Sequence, residues 1–495
     1  MQSRTDQVHS YQFFLQRVVS GLVTKESDPA DLPFRRLGWS GFGSIMVAVL
    51  VAAGFGVYGI LVGGGATSWQ DGRSVIVEKE TGTAYIYRDQ RLYPMANFVS
   101  AQLALPGAEA VRVSARSLAG VPRGPVLGIP GAPPGLPGSG RLLSGAWALC
   151  SEAVADGRGG RSERSLLGVG QQPAGGEPVT DQRAVLVAGS GTGDSEGEGD
   201  DAGADPDELH LVWRGHRFVL AVAEPVRDAL GLSRQRALPV APAWLDALPV
   251  GEPIAPPETG DRGEPTGALR ELREERDVRT GQVLAAAGSL YLVRATELVE
   301  ISPLQRDLLL ADPELTEAYP DATPAEVEVP PAVVANARIE RLPGSGTTSP
   351  PAELPELFEF RVEDRRDGAV CAAFPPDGGA PGVLAGARLA GAAGAVPTPG
   401  RTGPGTMLVD YALVSGGAAA LVQAAPAPDA AGGSLHLVTD QGFRYGLPSS
   451  EVATGLGFDL SRLVRLPAGL VSRLPAGPVL DPVAALQPVP PSAPA

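Results

Sequence analysis

Lysine is nearly missing from this chain of 495 residues: Lys25 and Lys79 are the only two. Neither stands in a Gly-Lys-Ser/Thr context, so a P-loop nucleotide site is excluded. Histidine is almost as scarce. His9, His210, His216 and His436 make no HExxH pair and no Cys/His metal spacing, and His210 and His436 occupy matching places in a repeat, which reads as packing. No GxSxG nucleophile elbow occurs. Positive charge is short overall, with 40 basic against 56 acidic side chains. The first 38 residues hold five of the basic and four of the acidic ones, so the remainder stands at -17, the wrong sign for a nucleic-acid surface. One stretch, "VLVAGSGTGD" (185 to 194), looks like a strand entering a phosphate-binding glycine loop. It continues into an acidic run that would repel phosphate, so the sequence gives no catalytic residue, cofactor site or metal site.

Charge is absent altogether from Leu37 to Gln70. Within that span, residues 39–65 exceed the roughly 20 apolar residues that cross a bilayer and read as an uncleaved transmembrane helix. Arg17, Lys25, Arg35 and Arg36 precede it, which places the N-terminus in the cytoplasm and the bulk of the chain outside. Gly59 with Gly63, and Ala52 with Gly56, have the small-xxx-small spacing that lets a second helix approach, although glycine is common in membrane helices anyway. Ahead of the span, Val8, Tyr11, Leu15, Val18 and Leu22 alternate at three and four, an apolar helix stripe with Thr5 as its N-cap. So short a segment has no core of its own, so the stripe is read as a face for a partner protein.

Beyond the span the chain repeats itself. "GVPRGPVLGIP" (120 to 130), "ALPVGEPIAP" (247 to 256) and "RLPAGPVLDP" (473 to 482) are nearly one word. Hairpin-like runs precede each, at 84, 209 and 435, and a worn fourth copy begins at 289. Short helices follow the hairpins, and the interval from Leu209 to Gly251 equals that from Leu435 to Gly477. The expected architecture is α+β: one N-terminal membrane helix, then four short β-rich repeats around a central β domain. The divisions read from the sequence are a cytoplasmic segment 1–38, the span 39–65, repeat one 71–137, a first stretch of the central domain 141–190, an acidic linker 191–208 and repeat two 209–257. Repeat three 280–320, a second stretch of the central domain 330–425, repeat four 433–482 and a Pro-rich tail 483–495 complete them.

Cys150 and Cys371 are the only cysteines. On an exported domain an oxidised pair is the simplest reading, with two buried thiols as the alternative.

The run "QVHSYQFFLQRVVSGLV", residues Ile76 to Gly82 with Tyr85, Asn97, "SLAGVPRGPVLGIPGAPPGLP" (117 to 137), Trp147 and Cys150, and the final repeat resemble the EccB family of actinobacterial type VII (ESX) secretion. The resemblance implies an elongated extracytoplasmic domain, a Cys150–Cys371 disulfide, and assembly with other membrane components, including an FtsK-like ATPase, and with further copies of itself. Two other readings stand beside this one. One is an anchor that binds the cell wall; the other is the ATP hydrolase that family members are sometimes called, for which no residue here speaks.

Overall fold

The structure is a computed structural model that describes residues 4–25, 33–63, 68–155, 160–189, 208–269, 278–341, 346, 348–360, 369–402, 405–427, 430 and 432–490. The chain divides into two units. The first comprises residues 1–93 and 109–124, and the second comprises 94–108 and 125–495.

The first unit carries two helices, Arg4–Thr24 and Pro33–Gly63. Because the first begins at Arg4, Thr5 lies inside it and is not its cap, a correction to the sequence reading. The second helix has 31 residues, so it is about 46 Å long against a hydrocarbon core of about 30 Å. Its stretch Trp39–Val57 has the apolar length and composition of a membrane span. A four-stranded sheet follows, built from Val75–Glu78, Ala84–Arg88, Arg91–Pro94 and Ala110–Val113. Trp69, Ile76, Tyr85, Leu92, Val113 and Leu118 form its core. Glu78, only 7% exposed, accepts from the Tyr85 hydroxyl and from Thr81 Oγ1, which satisfies a carboxylate that burial would otherwise penalise.

All four repeats share one connection rule. The first strand pairs antiparallel with the second, the second pairs antiparallel with the third, and a later strand returns parallel to the first, on its outer side. In repeat two these strands are Arg183–Gly189, Leu209–Trp213, His216–Val219 and Leu238–Val240. In repeat three they are Val283–Ala286, Ser289–Val293, Leu298–Ile301 and Val327–Glu328, and in repeat four Ala419–Ala425, Ser434–Thr439, Arg444–Leu447 and Val464–Pro467. Repeats two and four therefore begin one strand earlier than the sequence divisions place them, whereas the divisions of repeats one and three already hold their first strands. Residues 183–189 and 419–425, assigned from sequence to the central domain, belong to the sheets of repeats two and four. They are continuous apolar runs with both faces covered, and such runs carry no mark of which sheet will take them.

This also corrects the acidic run. Apart from Glu208 it lies outside the described residues, but Arg183–Gly189 and Leu209–Trp213 are antiparallel neighbours, so it joins two strands of one sheet and does not link domains.

The centre of the second unit is a seven-stranded sheet. Its strands come from two distant stretches, 147–178 and 369–413: the strands of 369–385 insert between Trp147–Ala155 and Glu177–Pro178, and those of 396–413 border Arg161–Gly168. One core covers it and reaches into repeats two and four: Trp147 and Phe374 from the sheet, Val185 and Trp244 from repeat two, Leu466 and Leu470 from repeat four, all essentially sealed from solvent. Repeat three packs mainly on itself, around Leu284 and Val293 on one face and Val283 and Leu309 on the other.

Candidate functional site

The repeated word occupies an edge of each sheet. Leu92 bonds to Pro122 O and receives Gly124 N, at 2.9 Å each. Arg217 does the same with Pro249 and Gly251 (2.9 and 2.8 Å), and Arg444 with Pro475 and Gly477 (both 2.9 Å). The word thus lies parallel to the third strand of its hairpin, at Leu92↔Arg123, Arg217↔Val250 and Arg444↔Ala476. The next residue on each third strand is aromatic, and its ring rests on the glycine of the word: Tyr93 on Gly124, Phe218 on Gly251, Tyr445 on Gly477. A Cβ on any of the three glycines would fall inside the ring. Repeat three fills the same place with Ile339–Arg341, parallel to Leu298–Ile301 with Leu298 opposite Ile339. There Val299 replaces the ring and Glu340 replaces the glycine. The sequence reading found the word but not its partner, although a signal exists: an aromatic residue stands 31 to 33 positions ahead of each glycine.

Between repeats two and four, Asp246 holds Arg217 at 3.0 Å and Arg473 at 3.6 Å. Burial lowers the Arg473 pKa while Asp246 opposes the change, and the guanidinium also donates to Met407 O and Gly469 O.

Cys150 and Cys371 face each other across neighbouring antiparallel strands, Trp147–Ala155 and Ala369–Phe374, and are bonded. The bridge joins residues 221 apart. It ties together the two stretches of chain that supply the central sheet, beside a further cross-link in which Asp410 accepts from Ser165 N and Oγ, both at 2.7 Å.

His210 and His436 stand on equivalent strands, and burial pushes both pKa values down. His210 is 1% exposed. Among the described residues no three His, Cys, Asp or Glu side chains gather as metal ligands. Residues 185–189 of the glycine-loop candidate are ordinary strand, and the loop itself lies outside the described residues.

On the helix Arg4–Thr24, Val8, Tyr11, Leu15, Val18 and Leu22 are all exposed, from 42% to 79%. Phe14, at 65%, broadens that stripe, and at 100° per residue Phe13 falls on the opposite side, with the Arg17 guanidinium 5.7 Å from its ring centre. Of the small residues in the membrane helix, Ala52 is exposed, and a side chain at Gly56 would meet open space. Gly59 and Gly63 lie on the same helix.

One apolar helix of spanning length, joined to repeated modules on a disulfide-bridged central sheet, defines a membrane-anchored assembly protein. Residues 2–490 match the family model described as "Type VII secretion system ESX-1, transport TM domain B", so the chain belongs to the EccB family, a membrane component of type VII secretion. Among curated relatives, the "ESX-3 secretion system ATPase EccB3" of Mycolicibacterium smegmatis is 27% identical over 96% of this chain and 88% of its own. The "ESX-1 secretion system ATPase EccB1" of Mycobacterium tuberculosis is 26% identical over 97% and 93%. Two solved structures share the fold. An EccB3 dimer from the ESX-3 core complex has a TM-score of 0.57 at 24% identity, covering 84% of this chain and all of that one. A chain of an intact ESX-5 inner membrane complex has a TM-score of 0.56 at 21% identity, covering all of this chain and 97% of that one.

Proposed function

We propose that this subunit acts as a non-enzymatic building block of the secretion complex. In this reading the N-terminus is cytoplasmic and the modules stand outside the membrane, where they pair with further copies of the chain. The exposed stripe from Val8 to Leu22 docks another membrane component, an FtsK-like ATPase being the expected one. A second membrane helix packs along Ala52, Gly56, Gly59 and Gly63. The module boundaries proposed are those of the sequence, with repeats two and four extended back by their first strands.

The observation that carries this reading is where the polar side chains go. Glu78, Asp246, Asp410 and the arginines around Asp246 are spent on holding sheets and modules together. That is how a scaffold uses charge. The word "ATPase" in the relatives' names finds no lysine here in a phosphate-binding context.

The test is gentle detergent extraction of the native membrane followed by affinity capture of the full chain. Co-elution with several other membrane proteins, in particles holding more than one copy, is expected. Recovery only as a free monomer would overturn the proposal. Labelling of Cys150 and Cys371 in intact cells, with and without reductant, checks the orientation: an impermeant reagent is expected to react only after reduction.

A further inference from the structure

Where the tip of the repeat-two hairpin lies against the central sheet, a cavity of about 410 Å³ opens between Trp213–His216 and Ala380–Val383, with Asp181 at its rim. The turn is tight. Arg214 and Gly215 both take left-handed backbone angles (φ 47° and 73°), and a Cβ on Gly215 would collide with the Pro381 carbonyl. The turn directs the Arg214 carbonyl at His216 Nδ1, 3.0 Å away. A carbonyl oxygen only accepts, so Nδ1 carries the hydrogen, and in the neutral ring Nε2 is left as a bare acceptor. His216 is 2% exposed. Nε2 makes no hydrogen bond among the described residues, and His216 lines the cavity. An acceptor beside a cavity with no protein donor is free to take a ligand's N–H.

The rim supplies charge of both signs. Arg214 Nε stands 3.5 Å from Asp181 Oδ2, with the Arg214 side chain 53% exposed and Asp181 75%. The guanidinium also lies 4.4 Å over the Trp213 ring, which fixes its direction. The charges cancel, so the cavity favours a ligand that is neutral overall but carries both signs. Val179, Val212 and Val383 make the remaining wall apolar.

We infer that this cavity is a binding site for a small zwitterion of amino-acid or short-peptide type. The ligand's ammonium group donates to His216 Nε2 and Asp181, and its carboxylate takes the Arg214 guanidinium. The volume is in the range of small-molecule pockets and suits two or three residues. Two sources share this chemistry: free short peptides, and the stem peptides of a cell wall. This inference stands apart from the proposed assembly role, since binding could fail with assembly intact.

Calorimetry on the full chain in detergent tests it. The probes are glycylglycine, its N-acetyl derivative, and the stem tripeptide L-alanyl-D-isoglutaminyl-meso-diaminopimelate, whose two ammonium groups balance its two carboxylates. Binding of at least one probe with a free amine is expected. The tighter of the two identifies the source, and either result supports the site. N-acetylation is expected to abolish glycylglycine binding. His216→Phe keeps the ring and removes the acceptor, and about a tenfold loss is expected from it. Asp181→Asn changes an exposed rim group and leaves the backbone carbonyl that receives Trp213 Nε1, so it keeps the test open should the first variant misfold. The inference is overturned if no probe binds, if the acetylated dipeptide binds as well as the free one, or if both folded variants bind like the parent.

Discussion

Repeat three and its three sisters place the same kind of strand at the same edge, yet they close that edge differently. In repeats one, two and four an aromatic ring covers a glycine; in repeat three Val299 stands opposite Glu340. Ring and glycine go together and are lost together, which is what a steric cause requires. A ring lying flat on the backbone leaves no volume for a Cβ, and once the ring is gone a Cβ is free to return. The worn look of repeat three in sequence is therefore no sign of a broken module. Its strand order is that of the others, with its own core on each face.

The largest expected effect separates repeat three from the centre. Replacing Cys150 and Cys371 by Ala removes a cross-link between residues 221 apart, which the loop-closure model values at about 5 kcal/mol. Hydrogen exchange should rise most in the central sheet and in repeats two and four, which share its core, and least in the core around Leu284 and Val293. Equal loss of protection in repeat three would remove the distinction. Next comes Gly477→Ala, which forces the Tyr445 ring off its seat and should cost about 1–3 kcal/mol by denaturant midpoint. Tyr445→Val alone also costs stability, but joined with Gly477→Ala it reproduces the repeat-three pair. The double variant should be more stable than the two single losses predict, by about 1 kcal/mol, and additive losses would refute the steric account.

A smaller effect depends on pH. Burial holds the His210 pKa below its ordinary value of 6.5, so the unfolded chain binds the proton first as pH falls. Stability from neutral His210 is complete above pH 6.5 and declines below it, until the folded form is protonated as well. Denaturant midpoints at pH 7.5 and 5.5 should show a slope that His210→Phe reduces. The smallest effect is expected from Glu340→Gly. With no ring above it, the glycine gains no contact, costs backbone entropy and gives up the Arg294–Glu340 ion pair at 3.1 Å, together about 1 kcal/mol; stabilisation would mean that the two edges are not equivalent.

Much of this was legible in residues that act locally. The apolar run and its flanking charge gave the membrane helix, and alternation around polar turns gave the four hairpins. Asn97 carried a local signal that the sequence reading did not use: it caps Phe98–Ala104 by accepting from Ser100 N at 2.8 Å. The first strands of repeats two and four were not legible. Arg183–Gly189 and Ala419–Ala425 are apolar on both faces, so no alternation reveals their neighbours. The His216 cavity was equally hidden, because its walls come from residues far apart in the chain.

What the sequence determined alone is the set of elements with their own signature: the uncharged span, the turn residues, and a glycine placed at one point of a thrice-written word. The tertiary structure decided which sheet each buried strand joins, which side chain requires that glycine, and that Cys150 meets Cys371 across the central sheet. The reason is physical. Local signals fix a backbone's shape over a few residues, whereas a strand covered on both faces has many partners of equal apolarity, and only the packing of the whole unit selects one.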